Sequence, residues 1–120
     1  MTLELLKKEY AVCRLNKQSF PAGEFVSLTV CGGEISLVCE AGQVPPDCLA
    51  ETGWRALRVS GVLDFSMIGV LAGFTDALAK AGVSVFVVST YDTDYLFIKT
   101  HSLKQAIQAL RGHSHTVTEL

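Results

Sequence analysis

The sequence predicts an α+β fold in which antiparallel sheets carry helices on one face. The first observation is a pair of strands, at residues 25–31 and 34–40, joined by Gly32-Gly33. The second is the order strand, helix, strand, strand, helix, short strand over residues 54–118, which is the split βαβ order of a ferredoxin-like unit. The third is a chain of 120 residues that is 49% hydrophobic, enough to bury the core of such a fold.

Composition excludes several classes of function. The net charge is −2, and ten basic and twelve acidic residues are spread along the chain, so no basic stripe for nucleic acid is present. The longest apolar run, residues 85–88, is far shorter than the ~18 residues that span a bilayer. The first ten residues lack the apolar segment of a signal peptide. We therefore expect a cytoplasmic protein that binds neither membranes nor nucleic acid.

Strands dominate the first half of the chain. Residues 1–10 are a lead-in or the start of a strand, residues 10–15 form a clear strand, and residues 16–23 form a loop. The hairpin then alternates apolar and polar residues, so a two-residue turn places the apolar side chains on one face. The predicted opposite pairs are Val26 with Cys39, Leu28 with Leu37, and Val30 with Ile35.

Residues 44–53 form the boundary between the two halves. Pro46 or Asp47 is expected to open a short helix that stops at Gly53, since proline and aspartate favour a first turn and glycine an end. Alternation then predicts a strand at residues 54–60.

A helix is predicted over residues 66–81, where apolar residues recur at helical spacing. Ser66 is the expected N-cap, and Gly82 lies where a glycine ends a helix. Gly69 falls in the first turn. Two explanations for a glycine at this position stay open. One is that the helix packs closely on the sheet, and the other is that the missing side chain lets a ligand reach the backbone N–H groups.

Residues 83–89 are almost continuously apolar and predict a buried central strand, which a polar turn at residues 90–94 follows. Ser102 and Gln105 have the spacing of a capping box at the start of a second helix. The remaining predicted elements are a returning strand at residues 95–99, a helix that ends at Gly112, and an edge strand at residues 115–118.

This order brings the start of a helix and a carboxylate at a strand end to the same edge of a sheet. The N–H groups at a helix start favour an anion, and the carboxylate favours a cation. The sequence therefore predicts a site for a small zwitterion at this edge.

Other side chains indicate alternative chemistry only weakly. The cysteines, Cys13, Cys31, Cys39 and Cys48, form no CxxC pair, so we expect reduced thiols in the core or strands, with a redox pair or nucleophile as the alternative. Asp92 and Asp94 lack the further oxygen ligands of a calcium loop, and the three histidines lack neighbouring ligands. We expect neither a metal nor a cofactor.

Several segments resemble the ACT domain family, and more narrowly the CASTOR-like subgroup of tandem ACT proteins. The resemblance is clearest over residues 54–112, and the first half matches in its order of elements. It implies two ferredoxin-like βαββαβ units in tandem, a degenerate unit at residues 1–53 and a second at 54–120. The segments are LDFS at residues 63–66, GVL at 69–71, LAKAGV at 78–83 and VSTYDTDY at 88–95.

The resemblance also implies a binding site for an amino acid. Gly69 and Val70 would offer backbone groups, Asp94 would pair with a cationic group, and the side chains of Thr90, Tyr91 and Thr93 would line the pocket. The chain has Met67 where the family's arginine-binding members carry an acidic residue, and methionine favours an apolar ligand. We therefore expect amino-acid binding without arginine specificity. The presence of one tandem pair, together with a charged fraction of only 18%, favours a homodimer.

The interpretation that follows is a non-catalytic regulatory or sensor protein with a downstream protein partner that the sequence does not identify. One alternative is a protein-interaction module with a vestigial pocket. The other is a small enzyme that uses the Cys48 thiol, or Asp92 and Asp94 as acid and base.

Overall fold

The structure is a computed structural model that describes residues 1–64 and 67–120. These residues divide into two compact units, a larger one of Met1–Lys7 with Arg55–Leu120 and a smaller one of Lys8–Trp54. The α+β fold class is confirmed. The elements are β1 Thr2–Leu5, β2 Tyr10–Arg14, β3 Val26–Cys31, β4 Glu34–Glu40, β5 Leu49–Val59, α1 Val70–Lys80, β6 Phe86–Ser89, β7 Asp94–Lys99, α2 Leu103–Gly112 and β8 Thr116–Glu119.

The smaller unit is an antiparallel sheet in the order β3, β4, β2 and the first part of β5. The predicted hairpin is confirmed in its register, with Val26 opposite Cys39, Leu28 opposite Leu37 and Val30 opposite Ile35. Gly32 and Gly33 have φ values of 50° and 80°, which the tight turn requires and glycine adopts without a steric cost. The buried side chains of this unit's core are Ala11, Cys13, Leu15, Leu37 and Cys39.

The helix predicted within residues 44–53 is wrong. A 3-10 turn occupies Ala41–Gln43, and β5 begins at Leu49. Between the pairs Tyr10–Trp54 and Val12–Glu51, β5 carries one residue more than β2, which makes a β-bulge. Pairing with β2 therefore overrides the local helix signals, because the bulge lets this segment join the ladder.

The Glu40 carboxylate fastens the loop before β3. It accepts a hydrogen bond from the Glu24 N–H at 2.7 Å and one from Lys8 Nζ at 3.1 Å, and its side chain is 12% exposed. The Glu24 N–H, and after it the Lys8 ammonium, hold the pKa of Glu40 below its ordinary value of 4.5. The folded state therefore gains stability from the ionised carboxylate above this pH and loses it as the pH falls.

We expect Glu40→Gln to lower the free energy of unfolding at neutral pH by about 1–2 kcal/mol, because the charge-assisted hydrogen bonds weaken. The variant should also lose less stability than wild type on acidification below pH 4.5. Urea denaturation across this range measures both effects, with Glu34→Gln, exposed on the same strand, as the control. Equal acid dependence in Glu40→Gln and wild type would contradict the assignment.

The larger unit has its strands in the order β8, β1, second part of β5, β7, β6. β1 is parallel to β8 and antiparallel to β5, so the N-terminal residues form a strand inside this sheet. The division into domains at residues 1–53 and 54–120 stays a prediction, and Met1–Lys7 lies with the C-terminal unit. Both helices contribute to one core of fully or almost fully buried side chains, which includes Leu3, Leu57, Phe74, Leu78, Leu96, Ile98 and Leu110.

Three local expectations in this unit are corrected. The helix α1 begins at Val70 rather than 66, and the predicted cap Ser66 lies outside the described residues. β6 is a half-buried strand that, among the described residues, pairs only with β7, so the prediction of a buried central strand is wrong. The capping box is absent: Ser102 has helical rather than extended backbone angles after a 3-10 turn, and Gln105 Nε2 instead donates to the Ala81 carbonyl at 2.6 Å.

The C-terminal end of α1 and the last two strands agree with the sequence predictions. Hydrogen bonds from the Gly82 N–H to the Ala79 carbonyl and from the Val83 N–H to the Leu78 carbonyl close α1 in a Schellman motif. β7 and β8 lie where the returning and edge strands were predicted. Neither helix that the structure describes has the length and apolar character to cross a membrane.

Candidate functional site

The larger unit contains an open depression of about 310 Å³ between the start of α1 and the turn that joins β6 to β7. Its apolar part comes from Leu63, Met67, Val70, Leu71 and Ala72, and its polar part from Asp64, Ser89, Thr90, Tyr91, Asp92 and Asp94. All six site residues predicted from the sequence line it: Gly69, Val70, Thr90, Tyr91, Thr93 and Asp94. That these residues bind a ligand stays a prediction.

Two hydrogen bonds hold the walls of the depression together. The buried Thr93 hydroxyl donates to the Val59 carbonyl at 2.8 Å, which fixes the β6–β7 turn to the end of β5. The Leu63 N–H donates to the Asp92 carbonyl at 2.6 Å, which fixes the following loop to the same turn. The depression is therefore formed by segments that are tied to the sheet.

The turn also has its own internal bonds. The Thr90 N–H donates to the Thr93 carbonyl at 2.8 Å, and the Thr93 N–H donates to Thr90 Oγ1 at 3.2 Å. The side chains of Thr90 and Thr93 thus hold the backbone of the turn, and Thr93 is only 3% exposed. Thr93 therefore supports the structure of the pocket, whereas Tyr91 is 82% exposed at its edge.

Gly69 is the N-cap of α1 rather than a residue of its first turn, and its φ is 78°. An added Cβ would meet no atom within 4 Å, so close packing against the sheet does not explain this glycine. The left-handed backbone angle does explain it, since other residues adopt that angle at a cost. The residues of the first helical turn line the depression, and the N–H groups of this turn lack partners inside the helix.

Three aspartates also line the depression: Asp92 and Asp94 at the β6–β7 turn, and Asp64 in the loop before α1. Asp94 Oδ1 accepts a hydrogen bond from the Ser89 hydroxyl at 2.5 Å, which orients that carboxylate.

No lysine, arginine or histidine is among the described residues that line the depression. The site therefore combines a negative side with the positive end of a helix.

The sequence reasoning missed Asp64 and Ser89 as site residues. Ser89 could have been found, because the hairpin register places it directly opposite Asp94. Asp64 lies in a loop whose position depends on the bond between Leu63 and Asp92, and no local pattern predicts that bond. With Asp64 at the pocket, a carboxylate is present although Met67 is not acidic.

We expect Thr93→Val to lower the free energy of unfolding by about 1–2 kcal/mol, since it removes a buried hydrogen-bond donor at nearly constant volume. Urea denaturation measures the loss. Thr29→Val, exposed on β3, is the matched control and should change stability by less than about 0.5 kcal/mol. If the two variants were equally stable, the hydroxyl of Thr93 would not be holding the turn.

Within residues 1–64 and 67–120, no three histidine, cysteine, aspartate or glutamate side chains are grouped in a way that could hold a metal ion. The polar groups of the residues that line the depression are backbone N–H groups, carboxylates, which accept hydrogen bonds, and hydroxyls. They suit a small polar organic molecule that carries both charges.

Among the described residues, the fold and the depression define an α+β domain whose larger unit carries an open depression. Residues 49–112, just over half of the chain, match the family model for the ACT domain. The chain belongs to the ACT domain family, as its sequence predicts. Domains of this family are ligand-binding regulatory domains.

Among curated proteins, the chain is similar to the human cytosolic arginine sensor for mTORC1 subunit 1. The two are 27% identical over 95 residues, which cover 72% of this chain. The match spans only 29% of the sensor's length.

Two solved structures show how widely the fold occurs. Protein Atu0741 from Agrobacterium tumefaciens is 28% identical and superposes with a TM-score of 0.90, covering 99% of this chain and 92% of that one. The regulatory subunit of aspartate kinase from Thermus thermophilus is 10% identical, with a TM-score of 0.67 over 92% of this chain and 96% of that one. At that identity, the second likeness shows the fold alone.

Proposed function

We propose that this protein is a non-catalytic regulatory protein that binds a free amino acid in the depression between α1 and the β6–β7 turn. One observation carries the proposal: the start of an α-helix, with Gly69 as its N-cap, faces carboxylates across a single depression. The similarity to an arginine sensor agrees with the same ligand class.

The two sides of the depression match the two charges that every free amino acid carries. The ligand carboxylate accepts hydrogen bonds from first-turn N–H groups near Val70, where the helix dipole favours an anion. The ligand ammonium lies against Asp94, whose carboxylate the Ser89 hydroxyl holds in place. An uncharged or singly charged molecule would leave one side of this site without a counter-charge.

The ligand's own side chain meets mixed surroundings. Met67 and Leu71 offer apolar contact, whereas Asp64 and Asp92 offer carboxylates to a second amine. Arginine specificity is therefore not part of the proposal, and both apolar and basic amino acids remain candidates for the binding screen.

The proposal includes a tandem arrangement. The smaller unit has the strand order of a ferredoxin-like unit, with its helices reduced to the loop before β3 and the 3-10 turn Ala41–Gln43. We assign this smaller unit as the degenerate ACT unit of the tandem pair. A homodimer and a cytoplasmic location belong to the same proposal, the latter because the related arginine sensor is described as cytosolic.

Regulation would follow from differential binding. A ligand that contacts α1 and the β6–β7 turn at once favours the conformation in which both are correctly placed. The surface that this conformation presents to a partner is then stabilised by the ligand's binding free energy.

The experiment is a thermal-shift screen against the standard amino acids at millimolar concentration. A ligand present at about 100 times its Kd should stabilise the fold by roughly 2.7 kcal/mol, which raises Tm by several degrees. The methyl ester and the N-acetyl derivative of the best ligand serve as matched controls. Each removes one charge, and both should produce a smaller shift than the amino acid itself.

A flat screen would contradict the proposal, and equal shifts from the amino acid and its methyl ester would contradict the role of the helix start. A flat screen would favour a second candidate, a protein-interaction module. The observation behind it is a set of exposed large side chains near the depression in sequence: Val62, Ile68 and Tyr91 are 75%, 96% and 82% exposed. A pull-down that Ile68→Ser abolishes would support this candidate.

A further inference from the structure

Three of the four cysteines meet in the smaller unit. Cys13 and Cys39 are fully or almost fully buried in its core, and Cys48 is half-buried against the same cluster. Cys13 and Cys39 thus belong to one packed cluster that Cys48 contacts from its edge. The fourth, Cys31, is exposed on β3 and belongs to no such group.

The strand register explains the cluster. Cys13 on β2 lies opposite Leu37 on β4 and opposite Ala50 on β5. Side chains two positions apart on a strand share a face, so Cys39 lies on the same side of the sheet as Cys13. Cys48 lies in the bend just before β5 and packs against the same cluster.

Cys48 also borders the protein surface. It lines an open depression of about 380 Å³ together with Arg14, Asn16, Asp47 and Leu49. Two hydrogen bonds hold the segment of residues 45–48 that borders this depression. Asn16 Nδ2 donates to the Asp47 carbonyl at 3.3 Å, and the Cys48 thiol donates to the Pro45 carbonyl at 3.2 Å. Arg14 is exposed and lines the same depression, so its guanidinium adds a positive charge to this part of the surface.

We propose that Cys48 is a site of thiol–disulfide exchange with a small anionic disulfide of the glutathione type, and that Cys13 then displaces the adduct to form a Cys13–Cys48 disulfide. The depression gives the reagent room, Arg14 attracts its carboxylates, and the buried Cys13 thiol belongs to the cluster against which Cys48 packs.

The exchange balances in two steps. The Cys48 thiolate attacks one sulfur of oxidised glutathione, the glutathione S–S bond breaks, and one glutathione thiolate leaves and takes up a proton. Cys13 then loses its proton to solvent and attacks the Cys48 sulfur, and the bond to the second glutathione breaks as that thiolate leaves. Two protein thiols are oxidised, and one glutathione disulfide is reduced to two thiols.

The second step should be slow and strongly accelerated by base. Burial, with added effects from Cys39 and Cys48, raises the pKa of Cys13 to about 12. Because the thiolate is the attacking species, its fraction and the rate should rise about tenfold per pH unit below that value.

The test uses the full chain incubated with oxidised glutathione, followed by alkylation and peptide mapping without reduction. We expect a glutathione adduct on Cys48 first, and then a linked pair of peptides that contain Cys13 and Cys48. Cys31→Ser should change neither step, Cys48→Ser should abolish both, and Cys13→Ala should stop the reaction at the adduct. The wild-type map decides the matter even if the Cys13 variant folds poorly.

Three results would overturn the proposal. They are an adduct that gives no intramolecular link even when the pH is raised toward the pKa of Cys13, a link that joins Cys48 to Cys39 instead, and modification confined to Cys31. A second step whose rate does not change with pH would show that the buried Cys13 thiol is not the attacking group.

Discussion

Asp94→Asn is expected to weaken binding of the amino acid found in the screen by about 2–3 kcal/mol, a loss of roughly 30- to 150-fold in Kd. Asp94 lines the depression, and its Oδ1 accepts a hydrogen bond from the Ser89 hydroxyl at 2.5 Å. Asparagine keeps the size and can keep that hydrogen bond, so the change removes mainly the charge that faces the ligand ammonium. Isothermal titration calorimetry measures the affinity directly.

The control for this variant is Asp76→Asn. Asp76 lies on the exposed side of α1 and pairs with Lys80 at 3.0 Å, so it carries the same charge in the same unit without lining the depression. Its removal should leave Kd within about twofold, because exposed ion pairs contribute little. Equal affinity of wild type and Asp94→Asn would sink the assignment of Asp94 to the ligand ammonium.

Sequence alone predicts those parts of this fold whose signals are local. The hairpin register follows from alternation and from Gly32-Gly33, and both features lie within the segment that they determine. The segment of residues 44–53 shows the opposite case. Its local residues favour a helix, but pairing with β2, which is distant in sequence, makes it a strand with a bulge.

At the candidate site, too, local patterns predict some residues, and contacts between distant segments place the others. The predicted residues from Gly69 to Asp94 line one depression because a helix start and a hairpin turn meet at one edge of a ferredoxin-like sheet. Asp64 was not predicted, since the loop that carries it is placed by contacts between segments, such as the hydrogen bond from the Leu63 N–H to the Asp92 carbonyl. The rotation of each side chain, such as that of Asp94 toward Ser89, also lies beyond sequence patterns.

Phe74→Ala should lower the free energy of unfolding by about 3–5 kcal/mol, the largest effect that we expect from one substitution. Phe74 is 0% exposed, and its ring centroid lies 4.7 Å from that of His115. Removal of the ring leaves a cavity in the core of the larger unit, between α1 and the sheet. Urea denaturation measures the loss, and Phe20→Ala, at a position that is 74% exposed, should cost less than about 0.5 kcal/mol.

A second readout tests whether the cavity opens where we place it. Burial lowers the pKa of His115 from its ordinary value of 6.5. Loss of the neighbouring ring should let water reach the imidazole, so its pKa should rise toward 6.5 in the variant, as NMR titration would show. An unchanged His115 pKa together with full stability would mean that Phe74 does not anchor α1.

Phe74 and Asp94 together separate the positioning of the site from contact with the ligand. Phe74 anchors the helix whose first turn forms one wall of the depression, so its removal should reduce both stability and affinity. The Asp94 carboxylate faces the proposed ligand and accepts one exposed hydrogen bond, from Ser89, which asparagine can keep, so Asp94→Asn should reduce affinity and leave unfolding nearly unchanged. Because a ligand stabilises in proportion to the logarithm of its concentration over Kd, excess amino acid should recover stability in Phe74→Ala at higher concentrations than in wild type. If ligand binding instead survived Phe74→Ala at full strength, the start of α1 would not be part of the site.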